Sequence, residues 1–228
     1  MRRRHARREV LMRSGTLRGE AVMRWGTVRG EAAMQFRAAG ALACILAVLV
    51  GGCASPASRF YTLSASAAPP VAPANLSVAV GPVSVPAAVD RPQIVVTVGP
   101  NQVRLDEFNR WDAPLQNTIA RVVAENLVAM LGTPRVTLSP QTLSAGADYR
   151  AVIEVQRFDS ALGEAAALDA VWTVSRTRDG RSQTGRTTAR EPAPERSFDA
   201  LAAAHSRAVA RLSRDIADAV RHLDGSKP

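Results

Sequence analysis

The chain has 228 residues with 29 basic and 20 acidic side chains, a formal net charge of +9, and only two cysteines. The charge is uneven: residues 1–33 hold nine arginines against three glutamates, and from Cys53 onward 19 basic and 17 acidic residues leave a net of +2. The basic footprint of a nucleic-acid binder therefore belongs to the leader, and two cysteines at positions 44 and 53 exclude a disulfide scaffold in whatever follows them.

In chain order, the first feature is a tandem repeat. Met12–Val22 and Met23–Ala33 are identical at eight of eleven positions. Two such short copies cannot bury a core. Met34-Gln35-Phe36-Arg37 then introduces thirteen nearly all apolar residues, Ala38–Val50. Thirteen helical residues rise about 20 Å, short of a hydrocarbon core of about 30 Å. The run suits a secretory signal that starts at Met34, and residues 1–33 read as upstream DNA translated in error. Leu49-Val50-Gly51-Gly52-Cys53 has the form of a bacterial lipobox. It predicts cleavage before Cys53 and a covalent diacylglycerol and N-acyl chain (palmitate) on that residue. Ala54, rather than aspartate, follows the cysteine, which favours the outer membrane, periplasmic face, under the bacterial sorting rule. The predicted organisation is 1–33 upstream segment, 34–52 signal peptide, 53–58 lipidated tether, 59–223 single domain and 224–228 tail.

Within the domain, Phe60–Leu63 is rich in strand formers, and Ser64–Asn75 reads as an extended Ala/Pro/Ser linker. Leu76–Val80 alternates with period two and continues past Pro82 to Val85. Gln93–Val98 predicts a strand buried on both faces, and Gln102–Leu105 its antiparallel return. Asp112–Gly132 predicts a helix capped by Asp112 and stopped by Gly132. Its apolar face is Leu115, Ile119, Val122, Val123, Leu127 and Met130. Arg135–Leu138, Tyr149–Phe158, Leu168–Ser175 and Ser182–Arg190 follow as strands. The last two form a polar, solvent-washed hairpin across Asp179-Gly180. Ser197–Leu223 is a long helix with Leu201, His205, Ala208, Leu212, Ile216, Ala219 and Leu223 in one stripe. The fold class is α+β, a mainly antiparallel sheet with two helices packed on one face.

Catalytic equipment is sparse. No nucleophile elbow, P-loop or metalloprotease motif is present, and the only lysine is Lys227. His205 and His222 lie seventeen residues apart on one helix, too far to share a metal, and His205 reads as a packed core histidine. Asp106 and Glu107 read as solvated charges. The expectation is no enzyme, no catalytic residue, no metal and no cofactor beyond the acyl chains. Two segments are more specific. Pro82–Val95 holds three prolines and the pair Asp90-Arg91, read as a turn closed by a local ion pair. Asn109–Leu115 holds Arg110 and Trp111 just before a helix.

Read together, Pro82-Val-Ser-Val-Pro86, Asp90-Arg-Pro-Gln-Ile-Val95, Arg110-Trp111 through Pro114-Leu115, Ala124-Glu-Asn-Leu127 and Ala204-His-Ser206 resemble the PqiC-type family of ABC/MCE transport auxiliary lipoproteins. The resemblance runs from Arg59 to about Leu223. Asp112-Ala113 departs from the Ala-Glu more usual there. The resemblance implies a lipid-anchored periplasmic protein whose partner is an MCE-domain protein of an intermembrane lipid transport system, docked at the outer membrane, with no nucleic acid and a homo-oligomer left open. Asp90, Arg91, Arg110 and Trp111 become candidates for partner contact or its structural support. The alternatives are a structural envelope lipoprotein without a transport role and a lipid-binding carrier.

Overall fold

Tyr149, Ala151, Ile153 and Val155 are buried and alternate with more exposed neighbours, so one face of their strand meets a core. That strand is the spine of the sheet. The computed structural model describes residues 56–66, 72–140 and 146–225, all within a compact unit spanning Pro56–Pro228. The upstream segment, the signal peptide, Cys53, the middle of the Ala/Pro/Ser stretch and the tail beyond Gly225 lie outside the described residues. The elements are β1 (Arg59–Tyr61), β2 (Val78–Ser84), β3 (Gln93–Gly99), β4 (Gln102–Trp111), α1 (Leu115–Leu131), β5 (Val136–Leu138), β6 (Tyr149–Ala161), β7 (Ala165–Arg176), β8 (Ser182–Pro192) and α2 (Phe198–Asp224).

The eight strands form one curled, mixed sheet in the order β1-β4-β3-β6-β2-β5, with β7 and then β8 continuing from β6. The long ladders β3–β4, β6–β7 and β7–β8 are antiparallel, as the mainly antiparallel expectation requires. The shorter pairings β1–β4, β2–β5, β2–β6 and β3–β6 are parallel. β7 occupies one edge of β6 along its whole length, so β2 and β3 must share the other edge. β2 takes the first half through Glu154, and β3 joins at Ser160.

The two helices pack on each other and on one face of the sheet, α1 over β2 and β5, α2 over β7 and β8. The predicted stripe of α1 is buried except for Met130, which is partly covered, and every predicted stripe residue of α2 is buried. Each fully buried Leu, Ile or Val contributes roughly 1.5–3 kcal/mol relative to exposure. α2 is closed at both ends. Ser197 Oγ accepts from the Ala200 N–H at 3.2 Å, and Gly225 adopts the left-handed conformation at φ 80°.

Three expectations are corrected by the geometry. β3 is not buried on both faces: Ile94 and Val96 enter the core, while Val95 and Thr97 stay half-exposed because no layer covers that side. The β7–β8 hairpin is not polar throughout: Leu168, Ala170, Trp172 and Val174 face the core beneath α2. Asp112 does not cap α1. Its N–H donates to the Tyr61 carbonyl at 2.9 Å, which ties it to the end of β1, and the helix begins after Pro114, whose carbonyl accepts from the Asn117 and Thr118 N–H groups.

Candidate functional site

Adjacent aromatic residues on a strand must face opposite sides. Phe60 and Tyr61 in β1 do so: Tyr61 is buried, and Phe60 is 65% exposed. β1 runs parallel to the end of β4, with Phe60 beside Arg110 and Tyr61 beside Trp111. Arg110 in turn lies opposite Gln93 of β3. The loop 85–92 closes over this corner, and the Trp111 N–H donates to the Pro92 carbonyl at 2.7 Å. The result is a surface cleft of about 320 Å³ bounded by Phe60, Asp90, Arg91, Arg110, Trp111 and Pro114. All four residues singled out from the sequence line it, although twenty positions separate the two pairs.

Their environments differ. Asp90 and Arg91 are exposed, and the expected ion pair between them is not made. The turn is held by main chain instead, with the Val89 and Asp90 N–H groups donating to the Pro86 carbonyl and the Arg91 N–H to the Val89 carbonyl. Both charges are thereby left at the rim. Arg110 Nε donates to the Glu107 carbonyl at 2.9 Å, and its guanidinium lies 3.8 Å from the Glu107 carboxylate. Such a half-exposed pair orients the side chain but is worth only about 0–1 kcal/mol.

Trp111 borders the cleft but turns its ring to the core side, opposite Phe60 and Arg110. It is 5% exposed, and its ring meets Phe158 and His205 edge-on, each at a centroid distance of 6.1 Å. Phe158 and His205 stack at 3.8 Å with an interplanar angle of 8°. His205 Nε2 shares a 2.8 Å hydrogen bond with Ser160 Oγ, while Nδ1 is buried without a partner. Burial pushes the pKa of His205 down to about 3, so the ring is neutral at pH 7. This is the packed core histidine expected from the apolar stripe. Among the described residues no group of three or more His, Cys, Asp or Glu side chains is placed to hold a metal ion.

Asp106 has a structural task. It opposes Ile94, while Arg110 opposes Gln93, so β4 carries a wide bulge between them. Burial works against ionisation of Asp106. Donation from the Asn109 side chain and from the Asn109 and Phe108 N–H groups outweighs it and holds the carboxyl below its ordinary range. The bulge re-aims Arg110 and Trp111. The adjacent carboxylates were read as solvated charges; only Glu107 fits that description.

A second polar cluster pins the segment after β1. Leu63 is fully buried, its carbonyl accepting from Arg121 at 2.8 Å. The Ser64 N–H donates to Ser206 Oγ at 3.1 Å, and the Ser66 N–H to Asn126 Oδ1 at 2.9 Å. The stretch expected to be linker from Ser64 onward is therefore fastened to both helices at its start. Sequence reasoning missed Phe60 as a wall of the cleft, although the adjacent aromatic pair was the available signal.

A family model described as ABC-type transport auxiliary lipoprotein component matches residues 61–217. The chain belongs to this family. Two solved structures share the fold of this ABC-type transport auxiliary lipoprotein. One is an uncharacterized protein, 18% identical, with a TM-score of 0.61 over 72% of this chain and 99% of that one. The other is a Xanthomonas campestris protein of family DUF330, also 18% identical, with a TM-score of 0.57 over 74% of this chain and 98% of that one. No curated protein matches the sequence. The auxiliary lipoprotein thus has a transport-associated role.

Proposed function

We propose that this auxiliary lipoprotein is acylated on Cys53, held at the periplasmic face of the outer membrane, and docks the MCE-domain protein of a lipid transport system there. The observation that carries the reading is the cleft. It sets the exposed charges of Asp90 and Arg91, which have no side-chain partner among the described residues, and the oriented guanidinium of Arg110 around the exposed ring of Phe60, on strand ends that the buried Trp111 ties to the core. An apolar side chain within a polar rim is the usual anatomy of a protein contact. The cleft also adjoins β1, the first strand after the lipobox.

The test is co-purification of a co-expressed MCE-domain protein with the full lipidated protein. Trp111→Ala is a poor probe, because removing a buried Trp costs about 3–5 kcal/mol in any case. Asp90→Lys with Arg91→Glu is better, since both residues are exposed and such substitutions shift stability by only about 0.5 kcal/mol. The double variant is expected to lose at least tenfold in captured partner while melting like the parent. Equal capture would remove the cleft from the contact, and no capture by the parent chain would remove the partner.

A further inference from the structure

Seven large apolar side chains are exposed among the described residues, and five of them lie on β1, β3 and β4. Phe60 walls the cleft. The other four, Val98, Val103, Leu105 and Phe108, belong to the β3–β4 hairpin, where Val103 is 57% and Val98 49% exposed. Cross-strand partners share a face, so the pairs Val95–Leu105 and Thr97–Val103 make one outward, largely apolar surface, opposite Ile94 and Val96, to whose side alternation turns Val98. On β6, β7 and β8 the same side of the sheet is laced with polar pairs. Arg186 binds Asp169, Arg157 binds Asp159, and the Thr173 and Thr184 hydroxyls meet at 2.9 Å. The sheet therefore has one solvent-adapted half and one apolar end.

The direction of the chain indicates what covers that end. β1 is parallel to β4, and β4 runs from the hairpin turn toward its base. Residues preceding Arg59 consequently leave β1 toward the turn. β3 extends six residues past Gln93, about 20 Å at strand spacing. The six steps from Arg59 back to Cys53 span at most about 20 Å. An acylated Cys53 would thus allow the bilayer to reach the level of Val98 and Val103. We infer that the apolar face of the β3–β4 hairpin lies on the lipid bilayer to which Cys53 is anchored, leaving the cleft at the hairpin base clear of it. The inference rests on the anchoring proposed above.

The test uses the full lipidated chain reconstituted into phosphatidylethanolamine/phosphatidylglycerol vesicles. Acylation of Cys53 leaves the introduced cysteine of Val103→Cys, Leu105→Cys or Arg178→Cys as the free thiol for an environment-sensitive fluorophore. Nitroxide-labelled lipids are expected to quench the labels at 103 and 105 at least twofold more than the label at 178, independently of protein density. Labels at 103 and 105 that are unquenched by lipid and open to aqueous iodide would overturn the inference. Shielding that disappears on dilution of the protein in the vesicle would also overturn it, in favour of a second copy on the open edge of β4. The intact mass of the N-terminal peptide is read on the same samples. An absent acyl mass defeats the anchoring and the hairpin contact together, whereas acyl mass with unquenched labels defeats the hairpin contact alone.

Discussion

His205 concentrates the polar cost of the core in one ring. It stacks on Phe158 and meets the Trp111 ring at an edge, with Ser160 its one hydrogen-bonding partner and Nδ1 bare. Its pKa falls from 6.5 to about 3 on folding because burial strips the imidazolium of water. The unfolded chain then binds a proton below about pH 6.5 that the folded chain refuses. Stability from this group is complete above pH 6.5 and is lost as pH falls toward 3, with a slope approaching 1.4 kcal/mol per unit. Asp106, Asp169 and Asp179 have folded pKa values below 3.8, so the stability they add is present above that value and lost only in more acid solution. Urea unfolding between pH 7.5 and 4.5 should therefore show a falling free energy in the parent and a nearly flat one in His205→Gln. An equal slope in the variant would clear the histidine of responsibility. The sequence disclosed that His205 was buried, because it sits on an apolar helical stripe. It did not disclose the cluster with Phe158 and Trp111, since those rings come from strands 47 and 94 positions away. The same limit applied to Asn126 and Ser206, whose motifs were visible but whose partners, Ser66 and Ser64, lie 60 and 142 positions distant.

At the scale of elements, period and capping chemistry located both helices and most strands, because those signals are local. Pairing was less legible. Nothing in the six residues of Tyr149–Glu154 announces that β2 rather than β3 will take that edge, and the four parallel pairings all join segments distant in sequence. Asp112 shows the same conflict at one position. Its cap propensity is real, but a hydrogen bond to Tyr61 claims its backbone first. Within the β7–β8 hairpin one pairing is unusually exacting. Gly185 lies opposite Trp172, and a Cβ there would intrude into the indole ring, whose Nε1 is fixed by donation to Thr187 Oγ1 at 3.0 Å. Gly185→Ala should cost about 1–3 kcal/mol through overpacking. Gly146→Ala, where a Cβ meets nothing within 4 Å, serves as the control and should stay within about 0.5 kcal/mol. Chemical denaturation compares the two, and equal midpoints would show that the indole can move aside.

For the molecule as a whole, the main core joins residues from Tyr61 to Leu223 in one continuous cluster that includes both Trp111 and Trp172. A single core of this kind predicts one cooperative transition. Tryptophan fluorescence and far-UV circular dichroism should give coincident urea curves for a protein spanning Pro56–Pro228, and separated midpoints would reveal two folding units. The α+β class and the layer order were readable from the alternation of short strands with two long amphipathic helices. The curl of the sheet was not, because it depends on two strands sharing one edge of β6.

The fastening of Thr62–Ser66 has a mechanical meaning. Under the anchoring proposed above, load passed to the domain from its N-terminal side enters through β1, which holds β4 over three residue pairs. A pull along the strand loads those bonds together rather than peeling them one by one. Directly behind them, Arg121 and Asn126 on one helix and Ser206 on the other grip the chain. The start of the domain is built as a shear joint backed by a cleat, so tension is shared between the edge of the sheet and the helical layer.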